Sequence, residues 1–204
     1  MTRPPPSFYN NISMTNPLSD QLLELKTALN TELSPELNVQ LNAEALYQLL
    51  LQKIRTSLGQ APNLAIVGIH SGGAWLAERL AADLQLTARL GFIDVSFYRD
   101  DFAARGLRAK VKPSQIPFDV DGATILLVDD VLYTGRTTRA AINELFDYGR
   151  PARIMLAALV DRGGRELPVA ADFVAQTVRL SESRQLVLQR ADNGAFSLTV
   201  DHAQ

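Results

Sequence analysis

Short apolar runs at residues 64–69, 124–128 and 154–160 alternate with stretches of helical spacing, and this alternation leaves few folds open. The runs are too short for buried helices and bounded by turn residues, so they read as strands buried on both faces. Between them, Leu46, Leu50, Ile54 and Leu58 recur every four residues with Leu49 alongside, behind Asn42 as a helix N-cap and ahead of Gly59 as a C-cap. A second helix opens at Gly72-Gly73 and covers residues 74–84. A third runs from the Thr134-Gly135 turn to Tyr148, where Gly149 and Pro151 close it. Further strands are expected at 39–41, 90–98, 173–178, 185–189 and 196–200. No internal repeat is visible. The pattern predicts an α/β fold, a mostly parallel sheet with helices on both faces, whose ligands bind beyond the carboxyl ends of the strands.

At 204 residues the chain can hold one domain with a full core plus an appendage. The domain is expected at residues 37–204. Residues 1–36 look like an N-terminal extension, with loop signals at Pro4-Pro5-Pro6, Asn10-Asn11 and Asn16-Pro17 and a leucine-rich stretch at 21–33 able to form a short helix. This extension either is a partly disordered tail or docks on a partner subunit. The absence of cysteine rules out disulfides and Cys-based zinc sites, and His70 and His202 are too far apart in sequence to suggest a His-rich metal site. No apolar run reaches the ~20 residues of a membrane span. The first residues lack the apolar core of a secretory signal, so a cytoplasmic protein is expected. With 20 basic and 22 acidic residues the formal charge is −2, which lends no support to a dedicated nucleic-acid binder.

The chemistry concentrates in residues 125–137, Ile-Leu-Leu-Val-Asp-Asp-Val-Leu-Tyr-Thr-Gly-Arg-Thr. Four apolar residues bury a strand, and Asp129 and Asp130 stand together at its mouth. Adjacent carboxylates repel, so the pair calls for a metal ion or hydroxyl donors. Thr134-Gly135-Arg136-Thr137 then begins a helix, where free N–H groups, two hydroxyls and the helix dipole make a monophosphate cradle. Gly135 lets the backbone approach a phosphate closely. Carboxylates for ribose hydroxyls beside a cradle for a 5-phosphate describe a ribose-5-phosphate site. The chain has no G-x-x-x-x-G-K-[ST], which excludes a Walker A loop, and a phospho-accepting receiver domain would not need the Thr-Gly-Arg-Thr turn.

This segment resembles the 5-phosphoribosyl-1-pyrophosphate (PRPP) motif of type I phosphoribosyltransferases. Together with Tyr98-Arg99-Asp100-Asp101 and Asp161-Arg-Gly-Gly-Arg-Glu-Leu-Pro168, it closely resembles the PyrR family over roughly residues 37–204. Members of that family are uracil phosphoribosyltransferases, some of which also regulate pyrimidine operons by binding attenuator RNA. The resemblance implies the type I phosphoribosyltransferase fold with a small hood or flexible loop. It implies transfer of ribose-5-phosphate from PRPP to uracil, giving UMP and pyrophosphate. Asp129 and Asp130 would hold the ribose hydroxyls directly or through Mg²⁺, and Thr134, Gly135, Arg136 and Thr137 the 5-phosphate, with Thr138 a further donor. Ser71-Gly72-Gly73 matches the pyrophosphate loop in position. The polar stretch after Tyr98 resembles the hood loop, and Arg99 is its foremost candidate for neutralising the leaving pyrophosphate. Asp161, Arg162 and Gly163, with Tyr133, would face the nucleobase.

The chain also departs from the family pattern. Better-known members have a basic residue at the position of His70 and Thr-Arg-Gly in place of Ser71-Gly72-Gly73, so a charged donor is missing and His70 either packs or touches the ligand. Purine-using relatives of the superfamily tend to carry an aspartate three residues after the acid pair. Tyr133 stands there, which suits a pyrimidine. RNA-binding members have His where this chain has Gly164 and Lys near Gln176, and their first helix is more basic than one offering only Lys53 and Arg55. The alternative, a regulator binding attenuator mRNA with catalysis secondary, therefore finds weaker support. By analogy a homo-oligomer, at least a dimer, is expected. Asp130→Asn is expected to abolish turnover without unfolding the protein; an active variant with an unchanged melting curve would remove the acid pair from the mechanism.

Overall fold

A computed structural model describes residues 41–58, 61, 63–95 and 113–202. The extension at 1–36, Gly59, residues 39–40 of the expected first strand and Arg99 lie outside the described residues. Leu41 is not in a strand. The described chain runs α1 (Ala43–Leu58), β1 (Leu64–Ile69), α2 (Gly72–Asp83), a 3₁₀ turn (Thr87–Arg89), β2 (Leu90–Ile93), β3 (Thr124–Leu132), α3 (Arg136–Tyr148), β4 (Arg153–Asp161) and β5 (Phe173–Thr177). A hairpin of β6 (Arg184–Arg190) and β7 (Phe196–His202) follows. No helix among the described residues is long and apolar enough to cross a membrane.

Five strands form one sheet in the order β2-β1-β3-β4-β5, with every pairing parallel. All six residues of β1 are buried, as a strand covered on both faces requires. The two faces divide by alternation along the strands. Leu64, Ile66, Leu126, Val128 and Met155 pack beneath α1, α2 and the hairpin, with Tyr47, Leu50, Ile54, Leu80 and Phe196 in the same cluster. Ala65, Val67, Ile125, Leu127 and Leu156 face the other way, toward Ala141 and Leu145 of α3. The cap expected at Asn42 is present, its Oδ1 accepting from the Ala45 N–H at 3.0 Å.

The sheet has a switch point. Chain order runs from β1 outward to β2 on one side and from β3 outward to β4 and β5 on the other. Right-handed crossovers in opposite directions place α2 and α3 on opposite faces and leave the loops after β1 and β3 side by side at the carboxyl edge. Expected boundaries shift in two informative places. β3 continues through the acid pair to Leu132, because β4 pairs with it at Asp129↔Ala158, Val131↔Val160 and Leu132↔Asp161. Aspartate is disfavoured in strands, so local propensity ends the strand early, whereas the neighbouring strand holds it in register. α2 starts at Gly72 rather than after the glycines.

Leu126 is fully buried at the centre of the sheet. Leu126→Ala should lower unfolding stability by about 2–5 kcal/mol in urea titrations, the cost of a cavity at a site with little room to collapse.

Candidate functional site

The acid pair sits at the switch point. Asp129 is only 5% exposed and accepts from the Asp130 N–H at 3.0 Å through Oδ1. Asp130 is half-buried. Being consecutive in a strand, the two carboxylates leave opposite faces, Asp129 on the α3 side and Asp130 on the α2 side. Here the glycines of α2 matter. A Cβ on Gly72 would overlap the Asp130 carboxylate, and one on Gly73 would overlap the Val128 carbonyl and come within 2.9 Å of the Asp129 Cα. Only bare backbone allows the loop after β1 to lie against the acids. The His70–Ser71 peptide is cis, and Ser71 is exposed ahead of the helix. The His70 imidazole lies 5.6 Å from the Phe92 ring, and the His70 backbone N–H donates to the Ile93 carbonyl at 2.9 Å.

The turn after β3 forms the second part. Thr134 is 4% exposed, Gly135 takes a φ of +91° as the N-cap of α3, and the Arg136 N–H donates to Thr134 Oγ1 at 3.3 Å. A left-handed N-cap suits glycine, and a Cβ there would press on Val169 at 3.2 Å. Thr138, one helical turn in, is 1% exposed, and its hydroxyl has no hydrogen-bond partner. Buried hydroxyls are normally satisfied, so Thr138 is an unusual orphan donor at a helix N-terminus, a place whose free N–H groups and dipole favour anions. The Arg136 guanidinium turns aside to Glu166, with Nε at 2.8 Å from Oε2, which leaves its backbone for the cradle.

The β4–β5 loop forms the third part. The Arg162 guanidinium stacks 3.9 Å over the Tyr133 ring, and Gly164 lies so close to that ring that a Cβ would overlap it. Arg162 is 8% exposed, donates from Nη2 to the Ser181 carbonyl at 3.3 Å and leaves Nε without a partner. Burial pulls its guanidinium below the ordinary arginine value, opposed by the neighbouring Tyr133. Asp161 is occupied within the loop, accepting from the Gly163 N–H at 2.9 Å and from Arg165 Nη2 at 2.5 Å. Glu166 and Leu167 donate their N–H groups to the Thr134 carbonyl at 3.0 and 3.1 Å, so this loop is laced to the cradle turn.

The structure thus gathers Asp129, Asp130, Gly72 and Gly73 at one point, with Ser71 leading into it, and the turn of Thr134 to Thr138 follows directly on the same strand. Tyr133 meets Arg162 and Gly164, and the Gly163 carbonyl is held by Arg165. Arg99 is outside the described residues. Among the described residues no group of three or more His, Cys, Asp or Glu side chains could hold a metal by itself. Each carboxylate is a hard oxygen donor, and since the two leave opposite faces of the strand, a hard divalent ion would meet them singly or through water, with phosphate and water completing its shell. Sequence reasoning missed Arg165 and Glu166 as the groups that tie the loop down. Their one signal was the two adjacent pairs of opposite charge within Asp161-Arg-Gly-Gly-Arg-Glu. A separate groove of about 600 Å³, between α1, α2 and the hairpin, is lined by residues whose charges answer each other, Glu44 with Arg79 and Glu78 with Arg190.

Residues 36–182 match the phosphoribosyl transferase domain family. The Bifunctional protein PyrR of Ralstonia nicotianae is 52% identical over 154 residues, covering 74% of this chain and 88% of the relative. Its namesake from Nitrosococcus oceani is 52% identical over 136 residues, covering 66% and 77%. Among solved structures, a hypoxanthine-guanine-xanthine phosphoribosyltransferase superposes with a TM-score of 0.56 at 15% identity, over 84% of this chain and 97% of the other. The hypoxanthine phosphoribosyltransferase of Trypanosoma cruzi gives 0.54 at 18% identity, over 80% and 95%. At such identities the structural likeness shows the fold, which is that of the type I phosphoribosyltransferases. Thr138→Val removes the orphan hydroxyl at constant shape. Its melting temperature should equal or exceed that of the parent protein, and a drop of several degrees in calorimetry would mean that the hydroxyl has a partner in the free protein.

Proposed function

The chain belongs to the PyrR family of phosphoribosyltransferases, and from that premise we propose that it transfers ribose-5-phosphate from PRPP to uracil, releasing UMP and pyrophosphate. The observation that carries this reading is the contact of Gly72 and Gly73 with the strand bearing Asp129 and Asp130. In PRPP the pyrophosphate is attached to C1 of the ribose, next to the ring hydroxyls. A pyrophosphate site and a ribose-hydroxyl site must therefore adjoin. A loop that meets the acid strand through bare backbone meets that demand.

Thr134 to Thr138 would take the 5-phosphate through N–H groups and hydroxyls, the orphan Thr138 Oγ1 gaining its acceptor when ligand arrives. Asp129 and Asp130 would accept from the ribose hydroxyls. The same two carboxylates are the residues that would hold Mg²⁺, directly or through water, and the ion when bound supplies charge neutralisation on the pyrophosphate. Backbone N–H groups of Ser71, Gly72 and Gly73 would face the leaving pyrophosphate. Arg99 would add positive charge there, a role that rests on the family resemblance. Ribosyl transfer passes through an oxocarbenium-like centre, so the work falls to positioning and charge stabilisation, and no side chain need form a covalent bond.

Tyr133 supports a pyrimidine. Its ring is held between the Arg162 guanidinium and the Gly164 backbone, so the position offers no carboxylate to a purine nitrogen. The Gly163 backbone would read the base edge, with Asp161 shaping the loop. The regulatory reading draws less from the structure. Lys53 donates to the Val174 carbonyl at 2.6 Å and Arg55 to the Asp83 carbonyl at 2.7 Å, so both basic residues noted on the first helix are engaged within the fold. Gly164 presents no side chain, and Gln176 carries no charge.

Purified protein with PRPP and Mg²⁺ should convert uracil to UMP and leave orotate, hypoxanthine and xanthine largely unused. Thr138→Val should raise the PRPP concentration needed by about tenfold, the loss of one hydrogen bond to a charged group. Turnover of a purine in preference to uracil would overturn the pyrimidine reading. PRPP binding with no product from any base would shift attention to salt-dependent RNA binding.

A further inference from the structure

The Arg165 side chain makes five hydrogen bonds, all to groups of the β3 end and the loop around it. Its Nη2 meets Asp161 Oδ2 at 2.5 Å. Its Nη1 donates to the carbonyls of Leu132 and Gly163, both at 3.3 Å, and also to that of Tyr133. Its Nε donates to the Val169 carbonyl at 3.0 Å. The side chain is 23% exposed and that of Asp161 is 21% exposed, so the pair is largely shielded from water.

Those acceptors belong to two separate segments. Leu132 ends β3 and Tyr133 leads into the cradle turn, whereas Asp161 ends β4 and Gly163 and Val169 belong to the loop after it. Val169 also packs beneath Gly135, the N-cap of the cradle helix. One planar guanidinium therefore fixes the distance between the turn that would hold the 5-phosphate and the loop that would face the base. Its five N–H donors in a rigid fork suit this task, whereas lysine has three donors around a point charge.

We infer that Arg165 is a positioning residue, which sets the base half of the site at the spacing from the phosphate half that a nucleoside monophosphate demands. The inference rests on the assignment of residues 161–164 to the base. It separates two classes of ligand. UMP spans both halves and is sensitive to their spacing. PRPP engages the cradle, the acids and the pyrophosphate loop, and carries no base. Loss of the fork should weaken the first and spare the second, a pattern that general loosening of the fold would not produce.

The test is calorimetric titration of Arg165→Lys and Arg165→Gln with UMP and with PRPP, alongside circular dichroism melts. The expected result is UMP binding weakened by about tenfold or more, since small misplacements of a site are amplified in affinity and rate. PRPP affinity should stay within about threefold, and the KM for uracil should rise more than that for PRPP. Equal weakening of both ligands, or no effect on either, overturns the inference. Failure of both variants to fold also overturns it, because Arg165 would then serve the fold as a whole. Should the parent protein bind a purine monophosphate in place of UMP, the pyrimidine reading alone fails. The same contrast, measured with that purine nucleotide, then decides the role of Arg165.

Discussion

The backbone of Gly72 and Gly73 lies against the carboxyl half of β3, and the rest of the site is arranged around that contact. A parallel sheet brings the ends of β1 and β3 to the same edge, but strands and helices with ordinary side chains would keep the following loop a side chain's width away. Removing both Cβ atoms lets the start of α2 settle onto the Val128 carbonyl and beside the Asp130 carboxylate. The two glycines cost helix propensity at the first turn of α2, where most of the backbone N–H groups lack intrahelical partners and the loss is smallest.

The second constraint is the lacing of the β4–β5 loop to the cradle turn. Glu166 and Leu167 close on the Thr134 carbonyl, Arg136 pairs with Glu166, and Arg165 collects carbonyls from both segments. The loop has no helix of its own, so these polar bonds shape it together with the packing of Val169 and Ala171 against the core. Gly163 and Gly164 both adopt positive φ within it, +73° and +70°, which lets the chain fold back over Tyr133. Within the adjoining cradle turn the buried Thr138 hydroxyl has no hydrogen-bond partner.

Much of the architecture was legible in advance. The runs at 64–69, 124–128 and 154–160 became β1, β3 and β4 because strands buried on both faces leave an unambiguous apolar signature. The Asn42 cap, the Gly135 turn and the end of α3 at Tyr148 were legible for the same reason, since each is a local rule with a local cause. The end of β3 was not legible. Asp129 and Asp130 look like a loop to any propensity argument, and only pairing with β4 keeps them extended. β2, expected over 90–98, ends at Ile93 ahead of Asp94 and Val95, and residues 96–98 and Arg99 fall outside the described chain.

By itself the sequence determined the layered α/β fold, the family and the order of parts along the chain, because hydrophobic period and the Asp-Asp-x-x-x-Thr-Gly-Arg-Thr run are properties of consecutive residues. The tertiary structure decided which residues act on the ligand side and which act on each other. Asp161 turned out to bind its own loop and Arg165, Arg136 to bind Glu166, and Lys53 and Arg55 to bind backbone carbonyls. A charged side chain takes whichever partner the fold brings within about 3 Å. For partners up to 121 residues away in the chain, that is a matter of strand order and loop closure, which no local pattern records.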